Sequence, residues 1–557
     1  MKSFFLSIIA ILSLSITGIP QNSASSKPLR DTVLAGDSII YHPVHINAVD
    51  NSLLPWYSNN PGESYDFVIN KVWDFWDTMR TDFNGLPYYM NHQVWQEDVN
   101  DTRGVAGSQF EMALSSWRLY YQYSGNPRVR ENMKFIADYL ISHSLSPNDA
   151  KYANLPYPYN TLSYSGIYDG DMVIGRGYTQ PDKAGSFANE LVYLYKLIGY
   201  ESHGQTPTNI YLETAVKIAN TLAQNMIEGD ENTSPLPFKV HAILGKDGKI
   251  IDMNGQEKQV ELFDYTSNWS GTMELFLQLI EMKKGNTAEY HKAFNTLLNW
   301  MKMYPLKNNH WGPFFEDIVG ESETQINAIT FAQFMMNHPE YFPNWKTEVK
   351  GIFDWVYKNL GNKSWLKYGV TVINEQTAFS VPGNSHTSRQ AACELQYAAL
   401  TGDNTFVNHA ILQLNWATYM VNNDGENRYP QDDIWLSDGY GDYVRHYLRA
   451  MSFLPEIAPS SQNHLLSSTS VIQWIKYFPE TKTSLENTIL NYRTFDNNST
   501  EILRLTQKPA AVLVNQKNIS ELKNLDGEGW SWKALEEGGV LTVRHSSGNK
   551  IAILKEF

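Results

Sequence analysis

Carboxylic acids beside aromatic rings recur along this chain, and a pair of carboxylic acids is what cleaving a bond between two sugars requires. Trp95 stands near Asp98 and Asp101 in WQEDVNDTR, Trp311 near Glu316 in HWGPFFEDIVGESE, and Trp435 near Asp432 and Asp433 in QDDIWLSDGYGDY. One carboxyl group must stay protonated and donate to the leaving oxygen. A second must ionise and either activate water or attack carbon. A neighbouring ring stacks on the apolar face of a pyranose and desolvates the acid, which raises its pKa. Asp also caps helices, and Asp182 after Pro181 and Asp438 before a helical run suit that plainer role.

A second set of residues suits a different reaction. Removing the proton next to a uronate carboxylate needs a base, plus donors that neutralise the carboxylate. His386 and Tyr440 are the candidate bases, with Tyr443 close by, and Asn384 and Arg389 in NSHTSR are the candidate neutralising groups. Arg176, Tyr178 and Trp269 join Trp95, Trp311, Asn384, Arg389 and Trp435 as candidate substrate contacts. A nucleotide, cofactor or metal is not expected. There is no phosphate-binding glycine pattern, no HExxH or CxxC spacing and no GxSxG elbow. The acidic run NDGENRYPQDD lacks the EF-hand spacing that calcium would need.

These residues fall in the long intervals between helical segments. Six segments are apolar on most faces and begin near Gly104, Gly185, Gly271, Glu323, Thr387 and Asp438. Such helices must be buried on most sides. Six others alternate with them and carry one apolar stripe, as surface helices do; YDFVINKVWDFWDTM and WKTEVKGIFDWVYKNL are examples. Short turns such as SGNPR, KGNTA and TGDNT lead from buried to surface helices. The connections running the other way are long. The hairpin repeat has a period of roughly 50–85 residues. If buried and surface helices alternate, all the long loops meet at one end and form one cleft. Asp98 or Asp101 would then face Asp432 or Asp433 across it, with Trp95, Trp311 and Trp435 lining it.

Six buried and six surface helices suggest two concentric rings. From about residue 64 to 453 the pattern resembles the (α/α)6 toroid of secreted glycoside hydrolases, polysaccharide lyases and sugar epimerases. That resemblance implies an active site where the long loops enter the inner helices. From about Ser468 the period changes to short β-rich runs, SVIQWIKYF, TEILRLT, AAVLVN, VLTVRHS and KIAILKEF, separated by turns. They predict a small antiparallel β-domain in which Trp530 and Trp532 pack against the helical part. The expected organisation is a signal peptide over 1–25, an extended segment over 26–63, the toroid over 64–460 and the β-domain over 466–557.

The start of the chain supports export. Lys2 precedes an apolar stretch from Phe4 to about Ile16, followed by Gly18-Ile19-Pro20 and small polar residues. That stretch is shorter than the ~20 residues a spanning helix needs. The one cysteine, Cys393, lies in the Ala-rich run QAACELQYAAL and reads as a buried core residue. The net charge of −15 argues against nucleic acid as a partner. The leading reading is an exported hydrolase of a polysaccharide or oligosaccharide, acting in the periplasm or outside the cell without a cofactor. A uronide lyase or epimerase on the same scaffold is the alternative, and a non-catalytic glycan-binding protein is the third. Cleavage between Gly18 and Ser26 should release a mature chain without a membrane span. N-terminal sequencing of exported material checks this, and an intact Met1 in a membrane fraction contradicts it.

Overall fold

The computed structural model of the chain describes residues 27–29, 42–90, 107–162, 165–171, 174–199, 209–243, 249–251, 256–259, 263–314, 322–427, 440–478 and 487–555. Its long helices, in chain order, are α1 (Pro61–Asp77), α2 (Gly107–Ser124), α3 (Pro127–His143), α4 (Pro181–Ile198), α5 (Ile210–Asn225) and α6 (Ser270–Glu281). Then come α7 (Thr287–Met303), α8 (Gln325–Asn337), α9 (Trp345–Leu360), α10 (Asn384–Thr401), α11 (Val407–Thr418) and α12 (Tyr440–Phe453). Burial alternates along this series. Every residue of α10 from Asn384 to Ala398 is buried, whereas α9 buries only Val349, Ile352, Phe353, Val356 and Leu360. Each even-numbered helix packs on the next, and α12 returns to α2, closing an inner ring. The odd-numbered helices lie outside it. This is the (α/α)6 toroid.

Local chemistry sets the hairpins. Asn60 caps α1 through a bond from the Gly62 N–H at 3.0 Å, with Pro61 at the first helical position. The same pair recurs as Asn126–Pro127 at the start of α3. Gly125, at φ +68°, lets α2 turn into α3 across two residues. The inner helices differ in detail from the sequence expectation. α4 begins at Pro181, a turn before Gly185, because Pro is suited to a helix start. The inner helices bury polar side chains as well as apolar ones, among them Glu190 on α4, Gln278 on α6 and Glu394 on α10.

Close backbone approach closes the ring. A Cβ on Gly441 would lie 2.6 Å from the Gln109 carbonyl oxygen and 2.9 Å from the Ala113 nitrogen, both on α2. Gly271 is similarly tight against Ser186 on α4. The connections into the inner helices span 78–106, 144–180, 226–269, 304–324, 361–383 and 419–439. Each runs from the C-terminus of an outer helix to the N-terminus of an inner one, and the described helix ends lie at one face of the ring.

The C-terminal strands are β1 (His464–Ser468), β2 (Ile472–Tyr477), β3 (Thr488–Thr494), β4 (Ser499–Leu505), β5 (Ala511–Val514), β6 (Lys517–Ile519), β7 (Gly529–Ala534), β8 (Gly539–His545) and β9 (Lys550–Leu554). They form two antiparallel sheets in the orders β1-β4-β8-β7 and β2-β3-β9-β5-β6. A buried cluster ties the sheets together: Glu501 accepts from Tyr492 at 3.0 Å and lies 3.2 Å from His545. Trp530 packs inside the β-domain, its indole N–H donating to the Ile519 carbonyl. β1 packs on α2 and α12 at the foot of the ring. There Tyr477 donates to the Gln122 carbonyl at 2.6 Å, and His464 stacks on Tyr123. One continuous apolar core runs through both parts. Among the described residues no helix is long and apolar enough to cross a membrane.

Gly441→Ala should lower the melting temperature, at a cost of about 1–3 kcal/mol, because backbone rather than a flexible side chain blocks the new methyl group. Gly351→Ala, with open space around it on α9, should leave stability unchanged or raise it. Calorimetry of the two variants checks the pair.

Candidate functional site

The first turns of the inner helices bring a dense set of charges to the loop-bearing mouth of the ring. Asp442 on α12 is the centre. Its carboxylate is gripped by Arg389 from α10 and by Arg445 from its own helix, and it lies 3.1 Å from His446 Nε2. Arg389 also donates to Gln325 Oε1 on α8 at 2.8 Å. Arg445 donates to Ser115 Oγ on α2 at 2.7 Å and lies 3.9 Å from Glu111 Oε1. All of these side chains are mostly buried.

Burial pushes the Asp442 carboxyl up, but Arg389, Arg445 and His446 together outweigh it and hold the group well below the usual carboxylate range. Glu111 moves the other way. Burial raises it to about 7; Arg445 and Lys183 oppose the rise, while Glu190 and Asp442 add to it. Two carboxyl groups that meet at one guanidinium are thereby driven apart, one fixed as an anion and one able to exchange a proton near neutrality. Burial keeps both nearby imidazoles neutral: His386 lies well below its ordinary value, and His446 falls to about 3.

On the far wall Asp182 accepts from Lys183 Nζ at 3.1 Å and from Asn268 Nδ2 at 2.9 Å. Its other oxygen, Oδ1, is buried and has no hydrogen-bond partner among the described residues. Lys183 also donates to the Phe314 carbonyl and sits 3.1 Å from the Phe314 ring centre. Deeper along the axis, Arg118 pairs with Glu190 at 3.2 Å. Among the described residues no group of three or more His, Cys, Asp and Glu side chains is arranged to hold a metal.

The residues singled out from sequence are distributed unevenly. Asp98, Asp101, Glu316, Asp432, Asp433, Trp95 and Trp435 lie outside the described residues, as does the side chain of Tyr440. His386 and Arg389 do come together at the mouth. Arg389, expected to contact a sugar, is instead occupied by Asp442 and Gln325. Asn384 opens α10 and is fully buried against Asn427. Trp269 and Trp311, expected as sugar platforms, are fully buried. The Trp269 indole donates to the Thr266 carbonyl, and Ser267 and Asn327 bond the Trp311 carbonyl, so both residues brace the loops beneath the mouth. Tyr178 is buried in a short two-strand pairing with His241. Arg176 is exposed and pairs with Asp169 at 3.2 Å. Asp182 accepts from side chains rather than from backbone N–H groups, so it is no cap. Tyr443 spends its hydroxyl on the Ala417 carbonyl.

Glu111, Lys183, Asp442 and Arg445 were missed because they sit inside helices that read as apolar. Their signal was helical spacing: Glu111, Ser115, Arg118 and Gln122 lie on one face of α2, and Asp442, Arg445 and Arg449 lie on one face of α12. Cys393 is buried as expected, and burial pushes its thiol far up.

No protein-family model matches this chain, and no curated protein matches it. Solved structures do. The cellobiose 2-epimerase of Spirochaeta thermophila is similar with a TM-score of 0.51 and 12% identity, over 71% of this chain and 97% of that one. A D-mannose isomerase is similar with a TM-score of 0.51 and 10% identity, over 71% and 99%. A GH76 α-mannanase of Bacteroides thetaiotaomicron reaches 0.45 and 12%, over 71% and 99%. At such identities the first two likenesses establish the shared toroid and nothing finer.

Asp442→Asn should destabilise the chain by about 3–5 kcal/mol, because it leaves two buried guanidinium groups without their anion. A drop in melting temperature larger than that of Glu111→Gln is the expected result.

Proposed function

We propose that this chain is a carbohydrate-active enzyme and that its mouth hydrolyses a glycosidic bond with Glu111 as proton donor. The observation that carries this reading is the split between two neighbouring carboxyl groups, Glu111 raised to about 7 and Asp442 held ionised. A leaving alkoxide needs a proton from a group that still holds one near neutral pH. In this scheme the Glu111 carboxyl donates to the glycosidic oxygen as the bond to the anomeric carbon breaks. Asp442 does not touch the sugar. It fixes Arg445 and adds, after burial and Glu190, to the raised value of Glu111. Asp182 Oδ1, buried without a partner among the described residues, is an acceptor for a sugar hydroxyl. The second catalytic carboxylate is sought among Asp98, Asp101, Asp432, Asp433 and Glu316, which lie in sequence between an outer and an inner helix.

A uronide lyase or epimerase is the second reading. His386, kept neutral by burial and lying one helical turn from Arg389 on α10, favours it, since a neutral imidazole can accept a proton. Incubation with neutral and acidic glycans separates the readings. New reducing ends mark hydrolysis, a new conjugated double bond marks elimination, and binding without either marks a glycan-binding protein. The working compartment proposed is outside the cytoplasm, on the strength of the apolar segment after Lys2.

Glu111→Gln keeps size and hydrogen bonding but removes the titrating proton, so the rate should fall roughly a hundredfold or more while the fold survives. In the parent chain the rate should decline as pH rises through about 7, because Glu111 then ionises. Full activity in Glu111→Gln excludes it as the acid. Loss of uronide turnover in His386→Ala, with Glu111→Gln still active, would put the second reading in its place.

A further inference from the structure

At the foot of the ring, opposite the mouth, the C-terminal turns of α2, α4, α6 and α12 and the turn between β1 and β2 enclose a cavity of about 330 Å³. That volume suits a small ligand, and junctions between domains are common places for such sites. The walls mix polar and apolar groups, and three cations, Arg118, Lys196 and Arg449, share them with three carboxylates, Glu274, Glu281 and Asp496. Arg118 is paired with Glu190, and Glu274 is paired with His338 at 2.8 Å. Arg449 and Lys196 have no such partner: among the described residues neither has a carboxylate within ion-pair distance. Arg449 donates to Gln333 Oε1 at 3.1 Å, and Lys196 donates to Gln278 Oε1 at 2.8 Å.

Burial pushes both cations down: Arg449 falls to about 9, with Arg445 and Arg118 adding and Glu190 and Asp442 opposing, while Glu281 and Asp496 oppose the fall of Lys196. A cation desolvated in this way is stabilised by an anion that takes the place of water. The rim has the opposite sign, because Glu281 and Asp496 line the cavity and are exposed. Gln122 and the run Ser467 to Ser470 add amide and hydroxyl groups to the same wall.

We infer that this cavity binds a sugar acid the size of a monosaccharide, with its carboxylate on Arg449 and Lys196 and its hydroxyls against Gln122 and Ser467. The site is separate from the mouth and does not depend on which reaction the mouth performs.

Isothermal titration of the intact chain with glucuronate and with glucose tests this. Glucuronate should bind at least about tenfold tighter than glucose. Arg449→Gln should weaken glucuronate at least about tenfold, and Lys196→Gln should also weaken it. Glu111→Gln at the mouth should leave this binding unchanged. If Arg449→Gln does not fold, Lys196→Gln alone decides. Equal binding of glucose, no glucuronate binding, or glucuronate binding that survives the foot variants but is lost in Glu111→Gln would each overturn the assignment.

Discussion

The Asp442 carboxylate between Arg389 and Arg445 is the interaction on which the mouth of the ring depends. Taking three charges out of water is costly, and the cost is offset only when each charge meets its partners at close range. Arg389 carries the link from α12 to α10 and on to Gln325 of α8. Arg445 carries it to Ser115 of α2. One anion thus joins four of the six inner helices at the face where the long connections enter. The same anion adds to the raised value of Glu111, although burial is the larger cause and Arg445 opposes it.

A ring of six helices leaves an axial space that apolar side chains do not fill. Long polar side chains fill it here in tiers: Lys183, Glu111, Arg445 and Asp442 near the mouth, then Glu190 and Arg118, then Arg449 at the foot. The β-domain closes that end, pinned by Tyr477 to Gln122 and by Gln473 to the Lys196 carbonyl. It therefore forms a wall of the axial space and of the cavity at the foot. Gly441 and Gly271 draw neighbouring inner helices close enough to close the ring around this column.

Much of the fold was legible in the sequence because the alternation of burial is strong and the short turns are explicit. Asn126–Pro127 after Gly125 reads as stop, turn and start. Weak or short strands were harder to read. β1 and β3 lack a strict alternation, and β6 has only three residues, so they are defined by pairing rather than pattern. The site was only half legible. His386 and Arg389 stood out because they sit together at a helix start. Glu111 and Arg445 did not, because a single charge in an apolar helix reads as exposed until the ring shows that its face points inward. The tryptophans are a related case: Trp269 and Trp311 lie at the ends of connections, yet their rings are buried, that of Trp311 against Phe331 of α8 and Trp355 of α9.

The protonation of Glu111 is the most direct measure of whether this network does what is claimed. Infrared difference spectra between the parent chain and Glu111→Gln, recorded across a pH series, isolate that one carboxyl group. The expected result is a protonated carboxyl band present on the acid side and lost with a midpoint near 7. A group that titrates at the ordinary glutamate value of 4.5 would contradict it, and the proton donor would then have to be sought elsewhere.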